Sequence, residues 1–271
     1  MRKNIINGLS FYFFGHLKTH KELYHAVSTR QGGQSSAPYH SLNLGINTED
    51  LPENIISNHL KISRALNFNL SGLVSSTQVH QDKILSLKKK PGKENATALG
   101  SCYHGFDSII TNQSETTLLI RIADCAPILI YDPELKVTAV VHAGWKGTVL
   151  KIASKTINKM INEFGCLPEN IKAGIGPSIG KCCYPVNNKI ADQFRSGLEE
   201  HKCFVEDINT SPHINLKEAN RIQLILAGVR EGNIETAEFC TSCSSNIFFS
   251  HRREKGRTGR FALLAGLRTS G

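Results

Sequence analysis

Apolar residues cluster in the middle of the chain, and their pattern predicts the elements. Thr116–Ile122 and Pro127–Tyr131 are short, apolar, β-prone runs separated by Ala123-Asp124-Cys125-Ala126. Val137–Val141 is a third, followed by His142 and a glycine-punctuated turn. These read as strands. The pattern then changes period: Val149, Ile152, Ala153, Thr156, Met160 and Phe164 recur at helical spacing, predicting an amphipathic helix that Gly165 and Pro168 end. Ile171–Ile175 returns as a strand into Gly176-Pro-Ser-Ile-Gly180.

The flanks are read the same way. Residues 24–30 predict a strand that runs into the polar loop Gln31-Gly-Gly-Gln-Ser-Ser-Ala-Pro38. Asp50-Leu-Pro-Glu53 predicts a helix start, with Asp50 as cap and Pro52 in the first turn, and that helix runs to about Leu66. Two more helices are expected near 187–198 and 216–230, the second opened by Asn215-Leu-Lys-Glu218. Ile247–Arg253 and Thr258–Leu264 read as an arginine-loaded hairpin. Strands and helices alternate only in part, which favours an α+β domain with mixed sheets over a doubly wound one. No repeat or low-complexity linker divides residues 1–271, so one domain is expected.

Composition narrows the function classes. With 40% hydrophobic and 20% charged residues over 271 positions, the chain can bury a core of ordinary size. A net charge of +9 favours anionic partners. Lys88-Lys89-Lys90 has no interleaved aromatics, so it reads as a solvated loop rather than a nucleic-acid groove. Met1–Phe14 has a basic start and an apolar stretch, but Asn7, Gly8 and Ser10 interrupt it and no small-x-small cleavage site follows. No apolar run approaches the roughly 18 residues of a membrane span. Eight irregularly spaced Cys do not form a disulfide pattern, and a reducing cytoplasm is expected.

The candidate chemistry sits beside turns. His80, Cys125 and His142 would together supply two imidazoles and a thiolate, one ligand short of a closed zinc tetrahedron, and an open position is what makes a zinc site catalytic. Their separations match no local metal motif, and packing explains Cys125 and His142 equally well. A Cys125 nucleophile with His142 or His80 as base is a further reading. Copper chemistry fits poorly: the only methionines are Met1 and Met160, and no His-x-His pair occurs. Cys182-Cys183 and Cys240-Thr-Ser-Cys243 could supply four thiolates, but vicinal cysteines make awkward co-ligands, and packing is the expected role. Arg30 and the group Arg252, Arg253, Arg257 and Arg260 could bind phosphate bidentately, or form an exposed basic hairpin.

Nine segments in order resemble one family over nearly the whole chain. They are Ser28–Gly33, Ser41-Leu-Asn-Leu-Gly45, Gln78-Val-His80, Ala123-Asp-Cys-Ala-Pro127, His142-Ala-Gly-Trp-Lys-Gly147, Gly176–Gly180, Cys183-Tyr-Pro-Val186, Cys240-Thr241, and Phe248–Arg253 with Thr258-Gly-Arg260. The set resembles the YfiH family, also called the multicopper polyphenol oxidase (laccase) domain or the laccase-domain purine nucleoside phosphorylases. The resemblance implies an α/β fold of mixed sheets flanked by helices. It implies Zn2+ held by His80, Cys125 and His142. Lys146, Pro185 and His251 stand where the family usually has Arg, Glu and Tyr.

The resemblance also implies a function. Adenosine, inosine and methylthioadenosine would be cleaved with phosphate to free base and sugar 1-phosphate, with adenosine deamination in the same site. Arg30, Lys146 and Arg260 are expected to cradle phosphate. Asp124 is the acid–base candidate, by adjacency to Cys125. Other zinc deaminases pair His-x-Glu with Pro-Cys-x-x-Cys, and that pair is absent here, because no proline is followed by cysteine. Alternatives are an amidase that edits peptidoglycan precursors at the same centre, and a non-enzymatic basic zinc module.

Overall fold

The computed structural model describes residues 1–92 and 95–269. Two sheets stack face to face between helices. The first runs β1 (Arg2–Ile6), β2 (Leu9–Phe13), β3 (Leu23–Ser28), β16 (Phe261–Leu267), β9 (Thr117–Ile122), β4 (Leu73–Thr77), β7 (Gly100–His104) and β6 (Ala96–Thr97) from edge to edge. The second runs β15 (Ile234–Thr236), β12 (Lys172–Ile175), β10 (Ala126–Asp132), β11 (Val137–Ala143), β8 (Ser108–Thr111) and β5 (Ile84–Leu87). A small hairpin, β13 (Val205–Ile208) with β14 (Ser211–Ile214), stands apart.

Side-chain alternation explains the layering. In β10, Ile128 and Ile130 face a core shared with the helices, while Leu129 and Tyr131 face the other sheet. In β16, Phe261, Leu263 and Ala265 point between the sheets, and Ala262 and Leu264 point outward beneath α1 (Pro52–Leu66). Successive residues of a strand point to opposite faces, so strands apolar at every position need cover on both sides. Here α1 covers one sheet. On the other lie α2 (Trp145–Val149), α3 (Ile152–Phe164), α4 (Asn188–Gly197) and α5 (Leu216–Leu226). The fold is α+β with mixed sheets, as expected.

Several local expectations need correction. The central amphipathic stretch is two helices, because Lys151 adopts a left-handed φ of 61° between them. Asp50 does not cap α1: its carboxylate accepts from the Leu51 N–H and from the Asn43 and Asn54 side chains, and Leu51, which makes no side-chain cap bond, holds the N-cap position before Pro52. The C-terminal arginines do not form a hairpin. Residues 247–257 are turns and irregular chain in which the Phe248 carbonyl accepts from Arg253, and only β16 is a strand, between β3 and β9. Asn7-Gly8 turns β1 back on β2, with φ of 49° and 77°, the geometry that asparagine and glycine favour in a two-residue hairpin loop. Asn187 and Asn215 cap α4 and α5 by accepting from the N–H groups of Ile190 and Glu218. Among the described residues, no helix is long and apolar enough to cross a membrane.

Candidate active site

Three chain segments cross from the first sheet to the second at one end of the sandwich. β4, β7 and β9 are mutually parallel, and each hands over to a strand of the other sheet: β4 to β5, β7 to β8, β9 to β10. The crossing loops carry His80, Asp107 and Cys125 respectively. β11 runs antiparallel to β10 and β8 and delivers His142 to the same end. Parallel neighbours present their ends together, so residues 45 and 17 apart in sequence become neighbours in space.

Asp107, which the sequence reading missed, organises this end. It is fully buried, and its carboxylate accepts the backbone N–H groups of Val79, His80 and Gln81 at 3.1, 3.0 and 2.9 Å. The loop curls around it with His80 at a left-handed φ of 58°. The same carboxylate lies 2.7 Å from His142 Nδ1, and the Asp107 carbonyl accepts the His142 N–H at 2.7 Å. A carboxylate on Nδ1 fixes the ring and leaves Nε2 for a ligand, a common arrangement behind metal-binding histidines. Burial alone would raise the Asp107 pKa, but the His142 bond and the loop amides hold it below its ordinary value. No local motif marks Asp107. The signal available in sequence was only an aspartate just before an apolar run.

The donor atoms of His80, Cys125 and His142 lie within 4.8 Å of one another, so the sequence-derived trio does converge. The two rings meet edge to face with centroids 4.9 Å apart. Gly144 makes room: a Cβ there would stand 3.0 Å from Cys125 Sγ and 3.1 Å from His80 Cδ2. Burial would raise the Cys125 pKa, but the charge and hydrogen bond of His142, then those of His80, bring it down to about 6. His142 rises to about 9 against its own burial, through the Cys125 charge and the Asp107 bond. Cys125 is therefore a thiolate near neutral pH, which is the form a metal ion takes up. These residues could hold a metal ion.

The trio opens into a cavity of about 520 Å³, lined also by Gly45–Thr48, Ser76–Gln78, Arg121, Asp124, Trp145, Ile179, Tyr184, His251, Arg252 and Arg260. That volume suits a small organic ligand. Two arginines matter electrostatically. Arg121, on β9, is buried; its Nε donates to the Leu44 carbonyl, while Nη1 has no partner among the described residues. Burial lowers its pKa to about 10, so it stays charged. Arg260 is half-buried and donates to the Thr258 and Gly259 carbonyls, and burial also pulls its pKa down. Gln78 ties the end of β4 to β9 by exchanging two hydrogen bonds of 2.8 Å with the Arg121 backbone.

Other candidates lie elsewhere. Arg30 is outside this cavity, stacked over Phe249 and bonded to Glu254 at 2.7 Å and to the His40 and Ser245 carbonyls. Lys146 is exposed, with its ammonium over the Trp145 ring, and does not line the cavity. Asp124 does line it, at a left-handed φ of 91°, but both its oxygens are engaged: one accepts from Thr241 Oγ1 at 2.5 Å, the other from the Arg252 N–H at 2.7 Å. It anchors the 240–253 segment to the Cys125 loop. Arg253 donates to three carbonyls of that segment and to the Glu254 carboxylate rather than to the cavity.

Comparison with known proteins agrees with this picture. Residues 24–268 match the family described as multi-copper polyphenol oxidoreductase laccase. The purine nucleoside phosphorylase YlmD of Geobacillus stearothermophilus is 35% identical over 245 residues, 89% of each chain. A purine nucleoside phosphorylase of Bacteroides thetaiotaomicron is 33% identical over 93% of each. The crystal structure of the Bacillus licheniformis hypothetical protein YfiH superposes with a TM-score of 0.88 at 34% identity, covering 96% of both chains. With the match spanning most of its length, the chain belongs to the multi-copper polyphenol oxidoreductase laccase family.

Proposed function

We propose that this protein is a zinc-dependent purine nucleoside phosphorylase. It would cleave adenosine, inosine and methylthioadenosine with phosphate, and deaminate adenosine in the same cavity. One observation carries the reading: a two-histidine, one-thiolate centre and an under-partnered buried guanidinium line a single cavity in a chain whose relatives bear that name.

His80, Cys125 and His142 would hold the zinc, which when bound supplies a Lewis-acid centre with an open position. The residues of the chain divide the remaining work. Arg121 and Arg260 bind and orient phosphate; Arg121 keeps an unused donor in a low-dielectric wall, where a charge-assisted bond to an anion is strong. Neither Arg30, already paired with Glu254, nor exposed Lys146 takes part in this cradle. Tyr184 and Trp145 provide apolar surface for the purine. Asp107 positions His142 and the His80 loop, and Asp124 positions the opposite wall. In phosphorolysis the bond from the anomeric carbon to the purine nitrogen breaks, a phosphate oxygen bonds to that carbon, and the base leaves with a proton.

The test is product chromatography after incubating the zinc-loaded protein with inosine and phosphate, and separately with a muramoyl amino acid nucleotide. Hypoxanthine and ribose 1-phosphate, formed only when phosphate is present, are expected. Release of free amino acid, or no product from protein with zinc bound, would overturn the assignment.

A further inference from the structure

Behind the cavity wall, two segments bring four more thiols together. Cys182 and Cys183 lie in the turn Lys181–Cys183, and Cys240 and Cys243 bracket the loop after β15. All four sulfurs lie within 4.8 Å of one another. Cys183 Sγ is 3.4 Å and Cys182 Sγ 3.8 Å from Cys243 Sγ. A disulfide requires about 2.05 Å, and all four cysteines are free. A tetrahedral zinc ion with bonds of about 2.3 Å holds its sulfurs about 3.8 Å apart. The spacing is that of a thiolate metal cage.

Packing, the role expected from sequence, does not account for this cluster. Cys182 and Cys243 are exposed and Cys183 is half-buried, whereas a cysteine used as a small hydrophobe is normally buried, as Cys166 is. Vicinal cysteines are no obstacle here, because the tight turn aims both side chains at Cys243. The surrounding chain is shaped around sulfur. The Gly180 N–H donates to Cys240 Sγ at 3.2 Å. A Cβ on Gly180 would stand 3.1 Å from Cys240 Cβ and 3.2 Å from Cys182 Sγ. The mostly buried ammonium of Lys217, held by the Ala237 and Phe239 carbonyls, lies close enough to Cys240 and Cys182 to feel their charge.

We propose that Cys182, Cys183, Cys240 and Cys243 bind a structural zinc ion, separate from the His80–Cys125–His142 centre. Binding releases four thiol protons and leaves a cage of charge −2, which Lys217 partly offsets. Four thiolates close the tetrahedron, so this ion does no chemistry. It staples two walls of the cavity: the 176–186 loop supplies Ile179 and Tyr184, and the 240–253 segment supplies His251 and Arg252. Thr241, inside the Cys240–Cys243 loop, bonds to Asp124 beside Cys125.

Metal analysis of the full chain, purified under reducing conditions without chelator, tests this. A His80→Ala/His142→Ala variant disables the cavity centre, so the outcome does not depend on what that centre binds. It should retain one zinc per chain. Adding Cys182→Ser and Cys243→Ser should remove that zinc, and cobalt loaded in its place should show the intense charge-transfer absorption of a four-thiolate site. Should the variants not fold, native alkylation of the unaltered protein decides: the four thiols should resist iodoacetamide until a strong chelator is added. A folded double-histidine variant without metal would overturn the proposal. So would immediate alkylation of all four thiols, or an intact mass lowered by the four hydrogens of two disulfides.

Discussion

Arg121 shows most plainly how one side chain can serve function against stability. A buried guanidinium with one donor unused costs folding free energy. Arg121→Met keeps the length of the stem and removes the charge, so the urea midpoint of unfolding should stay the same or rise. Phosphate saturation should move the other way. Losing a charge-assisted bond worth about 1.5–3 kcal/mol should raise the KM for phosphate about 10- to 100-fold. A fall in stability with unchanged KM would assign Arg121 a structural role instead. The residue sits in the apolar run 116–122, where the sequence reading saw strand and no chemistry. Its identity was visible, but its isolation from carboxylates depends on what packs around β9. Arg30 is the converse case: an arginine beside a glycine loop looked available for phosphate, and Glu254, 224 positions away, takes it up.

Among the elements, the three crossing loops determine the site, and Asp107 holds two of them together. Asn at this position can accept but also brings an amide that faces the N–H donors of residues 79–81. Asp107→Asn should therefore cost about 1–3 kcal/mol of stability through an unsatisfied buried donor. It should also weaken metal binding about 10- to 100-fold, because His142 loses its charged anchor. Urea unfolding and competitive chelator titration measure the two effects, and unchanged metal affinity would show that Asp107 serves only the loop. The strands and helices around the loops were largely legible, because apolar periodicity, Asn187 and Asn215 caps and the Gly165 stop act over a few residues. The failures are also physical. The 149–164 stretch has a continuous apolar face, but Lys151 turns left-handed within it. Phe248 and Phe249 look β-prone, but they fill the space between sheets from a turn in which Arg253 donates to the Phe248 carbonyl.

Over the whole molecule, the sandwich buries two histidines in neutral form, which makes its stability pH-dependent. His25 accepts the Phe14 N–H on Nε2; burial first, with the charges of His16 and Lys18, lowers its pKa from 6.5 to about 4 against the opposing pull of Glu235. Burial and then Arg121 lower His59 to about 3. The unfolded chain binds a proton at each near pH 6.5, and the folded chain does not until far lower pH. Stability is therefore complete above about 6.5 and falls with pH toward 4 for His25 and 3 for His59, by about 3 kcal/mol for His25 alone. Urea midpoints between pH 7.5 and 4.5 should drop less steeply in a His25→Gln variant, whose amide oxygen can still accept from Phe14; equal slopes would refute the assignment. The same long-range packing separates what the sequence alone determined from what it did not. Ligand chemistry, the central strands, most helices and the family are all written in short segments, each readable because side-chain periodicity and turn preferences are local. Which segments meet was decided by the order of β9, β4 and β7 in one sheet and of β10, β11, β8 and β5 in the other. That order placed Asp107 behind His142 and Arg121 in the cavity wall, and the pairing of β12 with β15 brought four scattered thiols together. Such encounters depend on burial and strand order summed over the whole chain, and no local pattern records them.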